Sequence, residues 1–103
     1  MPSIKLITKT LKDYQSTTWT SEWIYLADVT STTMTFLCDN NCSMTFNYSI
    51  DEQHQIIYQE SYSLVAGSVM EFINTPVKTR YFQIDITGIT LGSDLIIQGF
   101  YQI

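Results

Sequence analysis

Histidine occurs once in this sequence, cysteine and proline twice each, glycine four times, and basic residues only five times in 103 positions. Each scarcity removes a class of function. Five Lys and Arg against ten Asp and Glu leave a net charge of −5. Phosphate neutralisation supplies most nucleic-acid affinity, so nucleic acid is not an expected partner. One histidine and two cysteines make a poor zinc ligand set. No Gly-rich phosphate loop, cofactor fingerprint or activated nucleophile is present, so neither a cofactor nor an enzymatic activity is expected. No segment is apolar for long enough to span a bilayer. The opening run Met1–Lys5 carries no signal-peptide core, so the chain, taken as full length, is expected to be made in a cytosol.

What is abundant points to β structure. Hydrophobic residues make up 45% of the chain, aromatic residues 14% and charged residues 15%, the balance of a folded rather than a disordered polymer. Thr, Ile, Tyr, Val, Phe and Trp recur throughout, and no window holds a 3.6-residue apolar period over ten residues. The pattern predicts strands over about 3–13, 19–27, 32–38, 42–50, 55–64, 68–74, 79–87 and 94–102. The expectation is a single all-β domain over 1–103, an antiparallel β-sandwich of about eight strands. Gly67, Pro76, Gly88 and Gly92 fall between these strands; Gly99 falls inside the last and suggests a bulge or a close backbone approach. Lys5, Lys9 and Lys12 mark the first strand as a solvated sheet edge.

The sharpest local pattern is a hairpin. Met34, Phe36 and Cys38 alternate with threonines and Leu37. After Asp39-Asn40-Asn41, the residues Cys42, Met44, Phe46, Tyr48 and Ile50 alternate with polar residues. Phe82, Ile84 and Ile86 form a second inward set, opposed by Tyr81, Gln83, Asp85 and Thr87. Hairpin geometry would bring Cys38 and Cys42 to a Cα separation of about 5 to 6 Å, within disulfide range. Two buried, reduced thiols are the competing reading for a cytosolic chain. His54 closes the turn Asp51-Glu52-Gln53-His54, which reads as a solvated hairpin tip. Asp39-Asn40-Asn41 is oxygen-rich but lacks the ligand count of a calcium loop. Asn41-Cys42-Ser43 and Asn47-Tyr48-Ser49 match the glycosylation acceptor pattern and read as chance matches.

Three runs are apolar on both strand faces: Trp23–Leu26, Ile56–Tyr58 and Leu95–Ile97. A sandwich covers only one face of each strand, so the other needs a second cover, and another subunit is the favoured one. Ile97 is accordingly a candidate contact residue. Trp19, Trp23 and Tyr25 share strand parity. If their face is exposed they form an aromatic ridge that could stack on sugar rings, which makes a glycan the alternative ligand. Otherwise the rings fill the core or a subunit contact.

The order of features from about Trp19 to Ile103 resembles small virion structural domains of phage head fibres and capsid-associated proteins of large DNA viruses. The resemblance rests on the aromatic strand Trp23–Leu26, the hairpin ending at Tyr48–Glu52, the segment Pro76–Ile84 and a closing hydrophobic strand. It implies a jelly-roll-like sandwich, residence in a virion, and a non-enzymatic assembly role with copies of itself or other capsid proteins. A trimer is implied ahead of a dimer. No repetitive shaft segment is present, which shifts the expectation from a fibre to a cement or cap protein. The resemblance transfers no site residues.

Overall fold

A computed structural model describes residues 4–26 and 29–102 of the chain; residue 3 and residue 27, at the ends of the strands expected over 3–13 and 19–27, and Ile103, the end of the resemblance, lie outside the described residues. Every element among the described residues is a strand: β1 (Ile4–Tyr14), β2 (Trp19–Thr20), β3 (Ile24–Tyr25), β4 (Ser31–Cys38), β5 (Cys42–Ser49), β6 (Ile56–Leu64), β7 (Met70–Pro76), β8 (Tyr81–Thr87) and β9 (Ser93–Gln102). They form two antiparallel sheets, one of four strands ordered β1-β9-β4-β7 and one of five ordered β2-β8-β5-β6, with β3 also on β8. The short strands β2 and β3 lie end to end along β8 and replace the single strand expected over 19–27. Counted as one, they make the eight-strand order of a jelly roll, two interleaved Greek keys. The expected β-sandwich is the observed architecture.

Period-two alternation builds the core. Met34, Phe36 and Cys38 of β4 face Met44, Phe46 and Tyr48 of β5, and Phe82, Ile84 and Ile86 extend the same dry layer from β8. Phe46 is its hub. Its ring lies 5.0 Å from Phe82, 5.1 Å from Phe72, 5.3 Å from Tyr62 and 5.9 Å from Phe36, so it ties both sheets together. Edge-to-face aromatic pairs of this kind add stability beyond the area they bury.

Four expectations need correction. The segment around Asp39–Asn41 is not a hairpin. β4 and β5 belong to different sheets, and the three residues arch from one to the other. Alternation is the same for a hairpin and an arch, because both keep the apolar parity turned toward one core. Ile97 is 0% exposed, between Phe36 of β4 and Lys9 of β1 in the register, so it is a core residue and not a contact residue. Leu95 is also fully buried, so the Leu95–Ile97 run is largely absorbed by the fold itself. Gly99 marks no bulge: it pairs in regular register with Ile7 and Met34. Pro76, expected in a loop, ends β7, an edge strand where its missing N–H is tolerated. β1 is an edge strand, with Lys9 and Lys12 exposed on it, as the lysines suggested.

The Asp39–Asn41 arch uses its polar side chains structurally. Asp39 accepts the Asp94 amide through Oδ1 at 3.0 Å, Asn40 Nδ2 donates to Ser93 Oγ at 2.9 Å, and Asn41 Oδ1 accepts the Ala66 amide at 2.8 Å. Gly67, at φ +72° where an L residue is strained, donates its amide to the Cys38 carbonyl at 2.8 Å. These bonds hold the arch to the starts of β9 and the β6–β7 turn.

Two substitutions test this core. Phe46→Ala is expected to cost about 3–5 kcal/mol in urea-induced unfolding. Ile97→Asp is expected to prevent folding altogether, read as loss of the β-type circular dichroism spectrum, because it buries an unpaired charge.

Candidate interaction surface

Where one end of the five-stranded sheet meets the loops over 50–55 and 77–80, aromatic and aliphatic side chains come to the surface together. The cause begins in β2 and β3. Between the pairs Thr20–Asp85 and Ile24–Phe82 the first chain has three residues and β8 only two. The extra residue resets strand parity. Trp19, opposite buried Ile86, packs against the core, whereas Tyr25, opposite Tyr81, faces outward and is 56% exposed. The expected ridge therefore loses Trp19 and keeps Trp23 and Tyr25. Ser21 fills the gap in the ladder, with its amide donating to the Ile84 carbonyl and its Oγ accepting the Ile84 amide at 2.9 Å.

The turn over 51–54 is solvated at Glu52 and Gln53, as expected, but His54 is not free in solvent. The turn folds back over the outer sheet face, and His54 lies stacked on Trp23 at 4.8 Å and edge-on to Tyr81 at 4.9 Å. His54 adopts φ +60°, a conformation that costs energy for a residue with a Cβ. Both rings and two hydrogen bonds hold it there: its amide donates to the Asp51 carbonyl at 3.1 Å, and Asp51 Oδ1 accepts the Gln55 amide at 3.0 Å. Ser49, on the outward parity of β5, is 0% exposed beneath this cover. Trp23 and His54 are 31 residues apart in sequence, so no local pattern could have joined them.

Around this cluster stand exposed apolar side chains. Tyr25, Tyr81, Ser49 and Ile56 form one row across the sheet by register. A bulge opposite Tyr48 and Ser49 leaves Ile57 unpaired, and Ile50, Ile56, Ile57 and Tyr58 are all about half exposed. The fold thus leaves uncovered the whole Ile56–Tyr58 run and Tyr25 of the Trp23–Leu26 run. Next to them lies an open groove of about 330 Å³, walled by Leu26, Val29, Ile50 and Val77, with Lys78 and Arg80 at its rim.

Beyond the aromatics the outer face is polar and self-satisfied. Asn47 Nδ2 donates to Gln83 Oε1 at 3.0 Å, Gln59 Nε2 donates to Asn47 Oδ1 at 2.7 Å, and Gln83 Nε2 donates to the Ser21 carbonyl at 3.3 Å. Thr20 hydrogen-bonds Asp85 at 3.0 Å. Asn47 is 4% exposed, which removes it as a glycosylation acceptor in the folded chain.

Glu60, which sequence reading passed over, caps the flank where β6 and β7 form neighbouring edges of the two sheets. It lies opposite Phe46 in register, on the inward parity with Tyr58, Tyr62 and Leu64; that alternation alone would have singled it out. Its carboxylate accepts the Tyr48 hydroxyl at 2.6 Å, the Tyr62 hydroxyl at 3.3 Å and Lys78 Nζ at 2.9 Å. The Tyr48 hydrogen bond, helped by Lys78, holds the Glu60 carboxyl below its ordinary value against the opposing effect of burial. Burial first, then Glu60, raises Tyr48, and burial and Glu60 raise Tyr62. An inward charge on an edge strand discourages pairing with a foreign strand.

Linkage gives this cluster a two-sided pH signature. The Glu60 contribution is complete above the ordinary value of 4.5 and is lost as pH falls through the lowered folded value. The tyrosine contribution is complete below 10.0 and is lost as pH rises beyond it. Urea unfolding across pH is expected to show a plateau between these limits. Glu60→Gln should flatten the acid limb, and Tyr48→Phe should weaken the alkaline one.

Set against known proteins, the chain matches no family model, no curated protein and no solved structure.

Proposed function

We propose that this chain is a non-enzymatic assembly protein, a virion component of the cement or cap type. It associates through the apolar end of its five-stranded sheet, with copies of itself or with other capsid proteins. The observation that carries this reading is the set of exposed apolar side chains at that end of the sheet: Tyr25 and Ile56 in one register row, Ile57 at the bulge, Tyr58 on the inward parity of the same edge strand, and Ile50 in the wall of the Leu26–Val77 groove. Contiguous apolar surface on a small domain marks a contact site, whereas scattered single residues do not. At roughly 100 Å² for each half-exposed side chain of this size, the five fall short of the roughly 800 Å² a stable partner covers. The groove and the adjoining Gln59 and Gln83 row therefore belong to the contact as well. Arg80 at the groove rim offers an attractive charge to an acidic partner, another copy of this −5 chain included. The virion setting and a preference for trimers rest on the resemblance stated above. The jelly-roll order suits that setting without requiring it, since capsid proteins and lectins share it.

Two observations weigh against the glycan alternative. A sugar needs a free aromatic face, and Trp23 gives one of its own to His54. It also needs unpaired hydrogen-bonding groups, and the amides of Asn47, Gln59 and Gln83 bond to one another. Tyr25 and Tyr81 are left as the remaining stacking platform.

Sedimentation and light scattering of the purified chain are expected to give a mass above 11.9 kDa, either alone or when mixed with its virion. Tyr25→Glu and Ile57→Asp should each weaken that association about tenfold or more while the melting temperature stays within a few degrees of wild type. A chain that stays monomeric, joins no particle and binds immobilised oligosaccharides in a Tyr25-dependent manner would establish the glycan reading in its place.

A further inference from the structure

The two cysteines flank the arch that joins the sheets, and both enter the dry layer between them. Cys38 ends β4 in one sheet, Cys42 begins β5 in the other, only the three-residue arch separates them in sequence, and both side chains are buried in one core cluster. The arch between them is clamped by the Asp39, Asn40 and Asn41 side chains, and the Cys38 carbonyl is held by the Gly67 amide. Neither residue is needed as a hairpin staple, because no hairpin exists there. Among the described residues, no group of three or more His, Cys, Asp and Glu could hold a metal ion, which leaves the pair without a built metal site.

We propose that Cys38 and Cys42 are a redox-controlled cross-link between the two sheets, closed by a small two-electron oxidant of the peroxide class. One thiol, as its thiolate, attacks the peroxide O–O bond, becomes a sulfenic acid and releases water. The neighbouring sulfur then attacks that sulfenic sulfur, an S–S bond forms and a second water leaves. Two thiols lose two electrons and two protons, and one peroxide becomes two waters. Closure adds a covalent bond between β4 and β5 beside the three-residue arch that already links them.

Burial shapes the chemistry. It pushes the Cys42 thiol up to about 12, with Cys38 adding to the shift, so little thiolate is present at neutral pH and the reduced pair reacts slowly. Cys38 is fully buried and Cys42 nearly so, which admits peroxide more readily than a bulky disulfide such as oxidised glutathione. Once one sulfur is oxidised, its partner lies in the same buried cluster, and condensation precedes further oxidation.

The test uses the full native chain exposed to hydrogen peroxide, read by intact mass and by thiol alkylation in denaturant. The expected product carries no covalent link between chains, lacks two protons and has lost both alkylatable thiols together. Its melting temperature should be several degrees higher, and a reductant should reverse the change. Cys38→Ser and Cys42→Ser should each instead accumulate a sulfenic acid that dimedone traps, with no change in melting temperature. An unaltered mass, addition of oxygen without bond formation, or cross-linking between chains would each overturn the proposal. None of these readouts depends on assembly, so failure here leaves the proposed function untouched.

Discussion

Two sheets hold together only where their facing sides exclude water, and here that requirement concentrates on the ring of Phe46. It touches rings from its own sheet and from the opposite one, and the arches and turns around it are placed so that this contact can form. Every connection except β2–β3 and β5–β6 crosses from one sheet to the other. Loops therefore do not stitch neighbouring strands; they shuttle the chain between layers. The dry layer is what converts this set of crossings into a single structure.

Much of this was legible in residue order, because strand parity is a local property. Met34, Phe36, Met44, Phe46, Phe82, Ile84 and Ile86 were placed inward by alternation, and inward is where they lie. What alternation cannot encode is which strand a given strand pairs with, so the Asp39–Asn41 arch and a hairpin look alike until the sheets are assembled. A single extra residue between Thr20 and Ile24 shows the other limit. It moves Trp19 and Tyr25 to opposite faces, although their spacing in sequence gives them the same parity. The candidate surface was only half visible for the same reason. Ile56–Tyr58 could be flagged from its own composition, but His54 joins Trp23 and Tyr81 only through the fold.

The surface divides into flanks defended against association and one end left open to it. β1 carries exposed Lys9 and Lys12. On the opposite flank Glu60 is turned inward and held by Tyr48, Tyr62 and Lys78. Charge at sheet edges works against indiscriminate strand pairing. The apolar end carries its charges in its loops, with Lys78 and Arg80 lining the groove and Glu52 exposed in the turn over 51–54. Lys78 serves both regions, since its amine neutralises Glu60 while its stem borders the groove.

The position of β9 has a consequence for how the chain is made. It follows every other described strand in sequence, yet it lies between β1 and β4, which share no ladder among the described residues. A nascent chain emerging from the ribosome can close β5 on β6 early. The four-stranded layer has to wait until β9 has been synthesised. Until then β1 has no partner, and the inner side of the five-stranded layer lacks its full cover. Folding is accordingly dominated by contacts distant in sequence, the regime in which folding is slow and incomplete chains are most exposed to aggregation. Low positive charge and a net acidic balance help keep such half-made chains apart while the final strand arrives.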